Sequence, residues 1–358
     1  MYLNLKKYGL SDRFEQEASL YNNLFPARII EQHRDLYKVV CEHGELIAGI
    51  SGKLAYHAED KMSFPAVGDW VMIDRTDNNS GNAVIKNILG RKSVFVRQTA
   101  GTSNEQQIVA ANIDIIFICM SLNSDFNIRR IERYLAVTWD SMATPVIVLT
   151  KSDLCDDLQE KLDELSSVSI GIDVIVCSSE DENGYQAVSS YIEKGKTIAF
   201  IGSSGVGKST LINRLAGDEN QAVQEIRKGD DKGKHTTTYR QLKLLPNGGI
   251  VIDTPGMREL QLYTGDISKT FEDIEELAAQ CKYKNCSHVS EPGCMVRNAI
   301  ENGILSEERF GSYLKLQREM EYSNLNSRQT EQEKINRMFG SKKEMKNVMK
   351  HLKGRKNR

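Results

Sequence analysis

Gly202-Ser-Ser-Gly-Val-Gly-Lys-Ser209 separates the apolar run 197–201 (Thr-Ile-Ala-Phe-Ile) from Thr210-Leu-Ile-Asn-Arg-Leu215, whose apolar spacing is helical. Strand, glycine-rich turn of the form G-x-x-x-x-G-K-[ST] and helix together read as a phosphate loop. Gly202, Ser203, Ser204, Gly205, Val206, Gly207 and Thr210 form the cradle, where glycines let backbone N–H groups turn inward on a phosphate chain. Lys208 can neutralise the β- and γ-phosphates, and the Ser209 hydroxyl can ligate Mg²⁺.

Two more chemical elements close other apolar runs. Asp253-Thr-Pro-Gly256 follows 249–252 and puts a carboxylate where a phosphate-bound metal is held, with the Gly256 N–H able to sense the γ-phosphate. Thr150-Lys-Ser-Asp153 closes 146–149 and is similar to the guanine-reading pattern N-K-x-D, with Thr150 in the Asn position. Asp153 can accept from both guanine N1–H and the 2-amino group, a donor pair that adenine lacks. Lys151 can lay its stem along the base, and Cys177-Ser178, ending the run 174–177, can close on O6. The order is diagnostic. Ordinary G domains run from phosphate loop to D-x-x-G to N-K-x-D, whereas here the guanine elements come first. Cutting the sheet after D-x-x-G and joining the old ends gives this order, so the expectation is an α/β P-loop GTPase domain, circularly permuted.

Around this centre the apolar runs 113–119, 146–149, 174–177 and 197–201 alternate with helical patterns at 128–140, 156–166 and 185–193, the texture of a mostly parallel sheet covered on both faces. Upstream, 28–32, 36–42, 46–52, 69–74 and 83–89 read as five short strands, enough for a small N-terminal β-barrel of the OB-fold type. Tyr37, Tyr56, Phe64 and Trp70 either stack on bases or, as favoured for most of them, fill the barrel core. Downstream, Cys281, Cys286, His288 and Cys294 have the spacing C-x4-C-x-H-x5-C, three thiolates and one imidazole within fourteen residues. That ligand set fits one closed, structural Zn²⁺. A polar helical pattern then runs from 307 to about 339.

The division expected is 1–98 for an N-terminal extension and barrel, 99–265 for the GTPase domain, 266–340 for a mainly helical zinc-binding domain and 341–358 for a tail. The tail carries eight Lys/Arg against Glu344, or +7, while the remaining 340 residues are at -9. It reads equally as a solvated end or as an electrostatic arm for nucleic acid. At 40% hydrophobic and 27% charged, without an apolar run near membrane-spanning length, the chain is expected to avoid the membrane. The first residues lack the apolar stretch of a secretory signal, which makes the cytoplasm the expected location and a disulfide framework unexpected. A monomer is expected.

Over nearly its whole length the sequence resembles the ribosome small-subunit-dependent GTPases of the RsgA family, also called YjeQ or YloQ. The resemblance is carried by Val67-Gly-Asp-Trp-Val71, Arg129-Arg-Ile-Glu-Arg-Tyr-Leu135, the Thr150-Lys-x-Asp153 variant, the phosphate loop, His235-Thr-Thr-Thr238 and the cysteine cluster. It implies GTP with Mg²⁺, association with the small ribosomal subunit and its rRNA late in assembly, and hydrolysis stimulated by that subunit and linked to release. A nucleotide-gated RNA-binding protein and a P-loop ATPase or kinase are the alternatives, and Asp153 opposes the second.

In His235-Thr-Thr-Thr238 the usual switch pattern favours Thr237 as a Mg²⁺ ligand. Many GTPases place Gln after D-x-x-G to orient the attacking water, but that position is Met257, whose thioether cannot do so. His235, beside the threonines, is the candidate catalyst, with rRNA contact or simple capping of the loop as its alternative roles, and the resemblance favours catalysis.

Overall fold

The computed structural model describes residues 3–33, 36–58, 60–98, 106–178, 182–217, 240–253 and 267–323. Helix α1 (Asp12–Ala18) precedes strands β1 (Phe25–His33), β2 (Leu36–Cys41) and β3 (Gly44–Ile50), then helix α2 (Gly52–His57), β4 (Trp70–Ile73) and β5 (Ala83–Ile88). These strands pair in the order β1-β2-β3-β5-β4, and β4 returns to β1, so the barrel closes on itself. Each overlaps a strand expected from the sequence. In β4 the alternation of a pleated strand divides the side chains. Val71 and Ile73 enter the main core, whereas Trp70 and Met72 pack outside the barrel with Leu5, Phe14 and Leu89 beneath α1. Tyr37 and Trp70 are therefore buried, Phe64 is half-buried, and Tyr56 on α2 is 86% exposed.

Val67-Gly-Asp-Trp-Val71 is the turn that fastens the barrel to the rest of the chain. Gly68 has φ 94°, and a Cβ there would overlap the carbonyl oxygen of Ala111. Buried Asp69 accepts a two-pronged pair from Arg91, both bonds at 2.8 Å. Arg28, buried in the same place, donates to the carbonyls of Gly68 and Tyr8 and, at 2.8 Å, to Thr197 Oγ1 at the start of the phosphate-loop strand. Burial pulls its guanidinium down to about 10, opposed by Asp114 and Asp69.

A hairpin of β6 (Val94–Gln98) and β7 (Gln106–Ala111) leads onward. The sequence pattern gives no strand here, because Arg97, Gln98, Gln106 and Gln107 interrupt the apolar signal. Next come β8 (Ile115–Ser121), α3 (Ile128–Asp140), β9 (Thr144–Thr150), α4 (Leu158–Ser166), β10 (Val174–Val176), α5 (Glu182–Ser190), β11 (Thr197–Ile201), α6 (Lys208–Ala216), β12 (Gln241–Leu244) and β13 (Ile250–Asp253). They form a sheet of order β10-β9-β8-β11-β13-β12 in which β12 alone runs antiparallel to its neighbour β13. The chain runs outward from β8 to β10 and then returns to insert β11 between β8 and β13. This is the permuted order in space. Successive residues of β8 face opposite layers, with Phe117 and Cys119 packing with Leu211 and Leu215 of α6, and Ile116, Ile118 and Met120 with Ile131 and Leu135 of α3.

Strand β1 belongs to both bodies. Its first half pairs with β4, its register with β2 shifts at Ile30, and beyond that bulge Glu31 lies opposite Gln241 of β12. Barrel and parallel sheet are thus one sheet of eleven strands.

Helices α7 (Glu272–Ala279), α8 (Met295–Glu301) and α9 (Glu307–Ser323) complete the described chain. Phe271, Ile274, Val296, Phe310 and Tyr313 extend the α3-side core into them. Glu132 of α3, fully buried, accepts from Arg309 of α9 at 2.8 Å and from Arg129 at 2.7 Å, and Arg133 makes two 2.7 Å bonds to Glu319. The expected continuation to about residue 339 and the basic tail 341–358 lie outside the described residues. No described helix is long and apolar enough to cross a membrane.

Candidate functional site

The phosphate loop sits at the C-terminal end of β11, in the middle of the sheet. Gly202 has φ 143° and passes so close to β8 that a Cβ would overlap the carbonyl oxygen of Cys119, so only glycine fits. Gly205 and Gly207 also take positive φ, 78° and 96°, and α6 starts at Lys208 with its N–H groups facing the loop. The Lys208 ammonium bridges the loop, donating to the carbonyls of Gly202 at 2.7 Å and Ser203 at 2.5 Å. Cys119 beneath it is no nucleophile, because burial pushes its thiol up to about 12 despite the nearby Lys208.

Thr150 reaches into the phosphate loop. Its hydroxyl donates to the carbonyl of Val206 in the phosphate loop at 2.6 Å and lies 3.4 Å from that of Met120. A buried threonine at the end of β9 therefore ties the base side of the site to the phosphate side. Lys151 follows in the left-handed region, φ 58°, and starts the turn that presents Asp153. The Asp153 carboxylate accepts from the Ser178 hydroxyl, and the Ser152 N–H donates to the Cys177 carbonyl, so the loops after β9 and β10 are already joined. Cys177 enters this site through its backbone, since its side chain packs in the core below and burial pushes its thiol up to about 11.

Asp253 ends β13, next to β11, at the same edge of the sheet. Burial raises its carboxyl above its ordinary value, with Lys243 opposing. His235, Thr237 and Gly256 lie outside the described residues, as does Met257.

The residues brought to the loop include two that motif reading does not assign. Arg130, in the first turn of α3, donates from Nη1 to Ser203 Oγ at 2.7 Å and to Asp125 Oδ2 at 2.8 Å. Tyr134, one turn on, also hydrogen-bonds Ser203, which offsets part of the upward push of burial on its phenol. A signal was present: Arg129 and Arg130 occupy the first turn of a helix, where positive charge opposes the dipole, and that turn contains no acidic residue of its own.

At the far side, Cys281, Cys286, His288 and Cys294 offer four ligand atoms all within 4.8 Å of one another, a group that can hold a metal ion. The Cys281 to Cys294 sulfur distance is 3.9 Å, and His288 Nδ1 lies 3.7 and 3.3 Å from those two sulfurs. Cys294 is also the N-cap of α8, its sulfur accepting from the Arg297 N–H. Burial acts to raise the Cys281 thiol, but hydrogen bonds from the backbone N–H groups of Met295 and Val296 and from the thiols of Cys294 and Cys286 together hold it below its ordinary value.

Fold and site define a nucleotide-binding protein of the P-loop class with its guanine-side elements ahead of the phosphate loop. The comparisons with known proteins agree. The family model described as RsgA GTPase matches residues 88–263. An ABC transporter model also matches 185–356, a stretch that contains the phosphate loop but none of Thr150, Lys151 and Asp153. The Small ribosomal subunit biogenesis GTPase RsgA 2 of Lactiplantibacillus plantarum is 54% identical over 350 residues, covering 97% of this chain and 98% of its own. Among solved structures, YjeQ from Thermotoga maritima has a TM-score of 0.60 at 27% identity, covering 82% of this chain and 97% of that one. YloQ, described as a circularly permuted GTPase, has a TM-score of 0.58 at 25% identity over 84% and 96%. The chain belongs to the RsgA GTPase family.

Proposed function

We propose that this protein hydrolyses GTP in the late assembly of the small ribosomal subunit, binding the subunit in its GTP form and leaving it after hydrolysis. The observation that carries the reading is the hydrogen bond from Thr150 to Val206, which joins a guanine-selective loop to a phosphate loop within a chain 54% identical to a small-subunit biogenesis GTPase. Asp153 reads the base and Lys208 turns from the loop carbonyls to the β- and γ-phosphates. Ser209 and Asp253 hold Mg²⁺, which neutralises charge on the phosphates when bound. Thr237 completes the metal shell and His235 orients the attacking water. The barrel, the cysteine-rich segment and the tail supply rRNA contacts. In domain terms these are residues 1–98, 266–340 and 341–358, around a GTPase domain at 99–265 of a cytoplasmic monomer.

The reading is tested by GTP turnover and co-sedimentation with purified small and large subunits. Turnover is expected to rise by about tenfold or more with small subunits alone. Pelleting with small subunits is expected in a non-hydrolysable GTP analogue and not in GDP. Equal turnover with either subunit, or binding indifferent to nucleotide, overturns it.

For the cysteine cluster the metal proposed is Zn²⁺. Bonds of about 2.3 Å to sulfur and 2.0 Å to nitrogen in a tetrahedron put neighbouring donors about 3.5 to 3.8 Å apart, and the three distances here run from 3.3 to 3.9 Å. Four protein ligands leave no open position, so the ion would hold α7 to α8 and take no part in hydrolysis. Metal analysis of the purified chain is expected to give one zinc per molecule, lost in Cys294→Ser together with ordered signals of the 281–294 segment. Full metal content in that variant would remove Cys294 from the ligand set.

A further inference from the structure

We propose that Arg130 of helix α3 is a ligand of the terminal phosphate, so that the chain carries its own cationic reader of GTP against GDP. The inference rests on the reading of 202–209 as the GTP phosphate loop.

Four observations support it. Two cations converge on one short stretch: the Lys208 ammonium lies on the carbonyls of Gly202 and Ser203, and the Arg130 guanidinium lies on the hydroxyl of the same Ser203. The loop lysine serves the β- and γ-phosphates, and the Ser203 whose hydroxyl Arg130 contacts also holds that ammonium through its backbone carbonyl. Arg130 uses Nη1 for both Ser203 and Asp125, and among the described residues Nη2 and Nε have no partner. A guanidinium has five donors in a fixed fork that suits a phosphate, and the unused arm is available for one.

The position is also costly without a phosphate. Arg130 stands in the first turn of α3, where the unpaired backbone N–H groups already make that end positive, and Asn127 Oδ1 caps the N–H of Arg130 itself. Its counter-charge, Asp125, is 42% exposed on the side chain and Arg130 31%, so the pair is a solvated tether and not a buried structural bond. Asp125 holds the guanidinium at the loop without burying it. A terminal phosphate would add a charge-assisted bond there, and its absence in GDP would withdraw that bond.

The test uses the full chain, the variants Arg130→Ala and Arg130→Lys, and two probes titrated by calorimetry with Mg²⁺: a non-hydrolysable GTP analogue and GDP. Arg130→Ala is expected to weaken the analogue about 10- to 100-fold, the range of a lost charged hydrogen bond. GDP affinity should move less than about twofold on the same scale, which also shows that the loop is intact. Arg130→Lys, keeping charge without the fork, should recover part of the loss. Equal weakening of both probes makes Arg130 a support for the loop and overturns the proposal, as does no change in either. Failure of the unsubstituted chain to bind either nucleotide would instead overturn the reading of the site itself.

Discussion

Asp153→Asn is expected to lower affinity for GTP by about 10²- to 10⁴-fold and to leave the fold unchanged. The carboxylate matches two donors on the guanine edge, and an amide presents one donor where an acceptor is needed, leaving one donor of the base facing another. The fold is spared because the bond that Asp153 makes within the protein is accepted from the Ser178 hydroxyl, and an Asn carbonyl can accept it equally. The same amide is complementary to xanthine, which carries a carbonyl in place of the 2-amino group. Xanthosine triphosphate should therefore bind the variant more tightly than GTP does, and competition between the two nucleotides measures the reversal. Retained preference for GTP would move guanine recognition away from Asp153.

The second large effect falls on stability. Arg309→Met is expected to destabilise the protein by about 3 kcal/mol, the lower part of the range for stranding one member of a buried ion pair. Glu132 is wholly buried, one of its oxygens has no partner among the described residues, and Arg309 is the more deeply buried of the two cations on the other. Arg129 remains at 2.7 Å from it, but is 39% exposed and offsets only part of the loss. Asp273 would lose two bonds from the same guanidinium at the surface, a minor addition. Urea denaturation followed by far-ultraviolet circular dichroism measures the change. Glu132→Leu combined with Arg309→Met should recover most of it, since two apolar groups of similar volume remove the stranded charge. A double variant as unstable as the single one would assign the loss to packing of Arg309 against the Phe271 ring, 5.0 Å away.

What could be read from the sequence was whatever is local. The run 197–201 and the helical pattern 128–140 coincide with β11 and α3, because each holds its full periodicity within one segment. The cysteine spacing placed four ligand atoms together for the same reason. Pairings between distant segments were less legible. Nothing in Phe25–His33 announces that its second half leaves the barrel for β12, since the bulge at Ile30 falls in an apolar run without glycine. Thr150 was legible as a departure from Asn but not as a bond to Val206, 56 residues away. Arg130 lay in plain view within a motif, yet its role depends on Ser203, 73 residues on, being folded back beside it.

The shared strand has a bearing on how the chain can be cut. Beyond its pairing with β13, β12 meets β1 at the start of its outer edge, through Glu31 opposite Gln241 and the side-chain bond between them. A fragment beginning at the GTPase sheet would present that edge bare, with Leu244 already 39% exposed, and unpaired edges recruit other chains. A cut between barrel and sheet would therefore remove the partner of Gln241 as well as a domain.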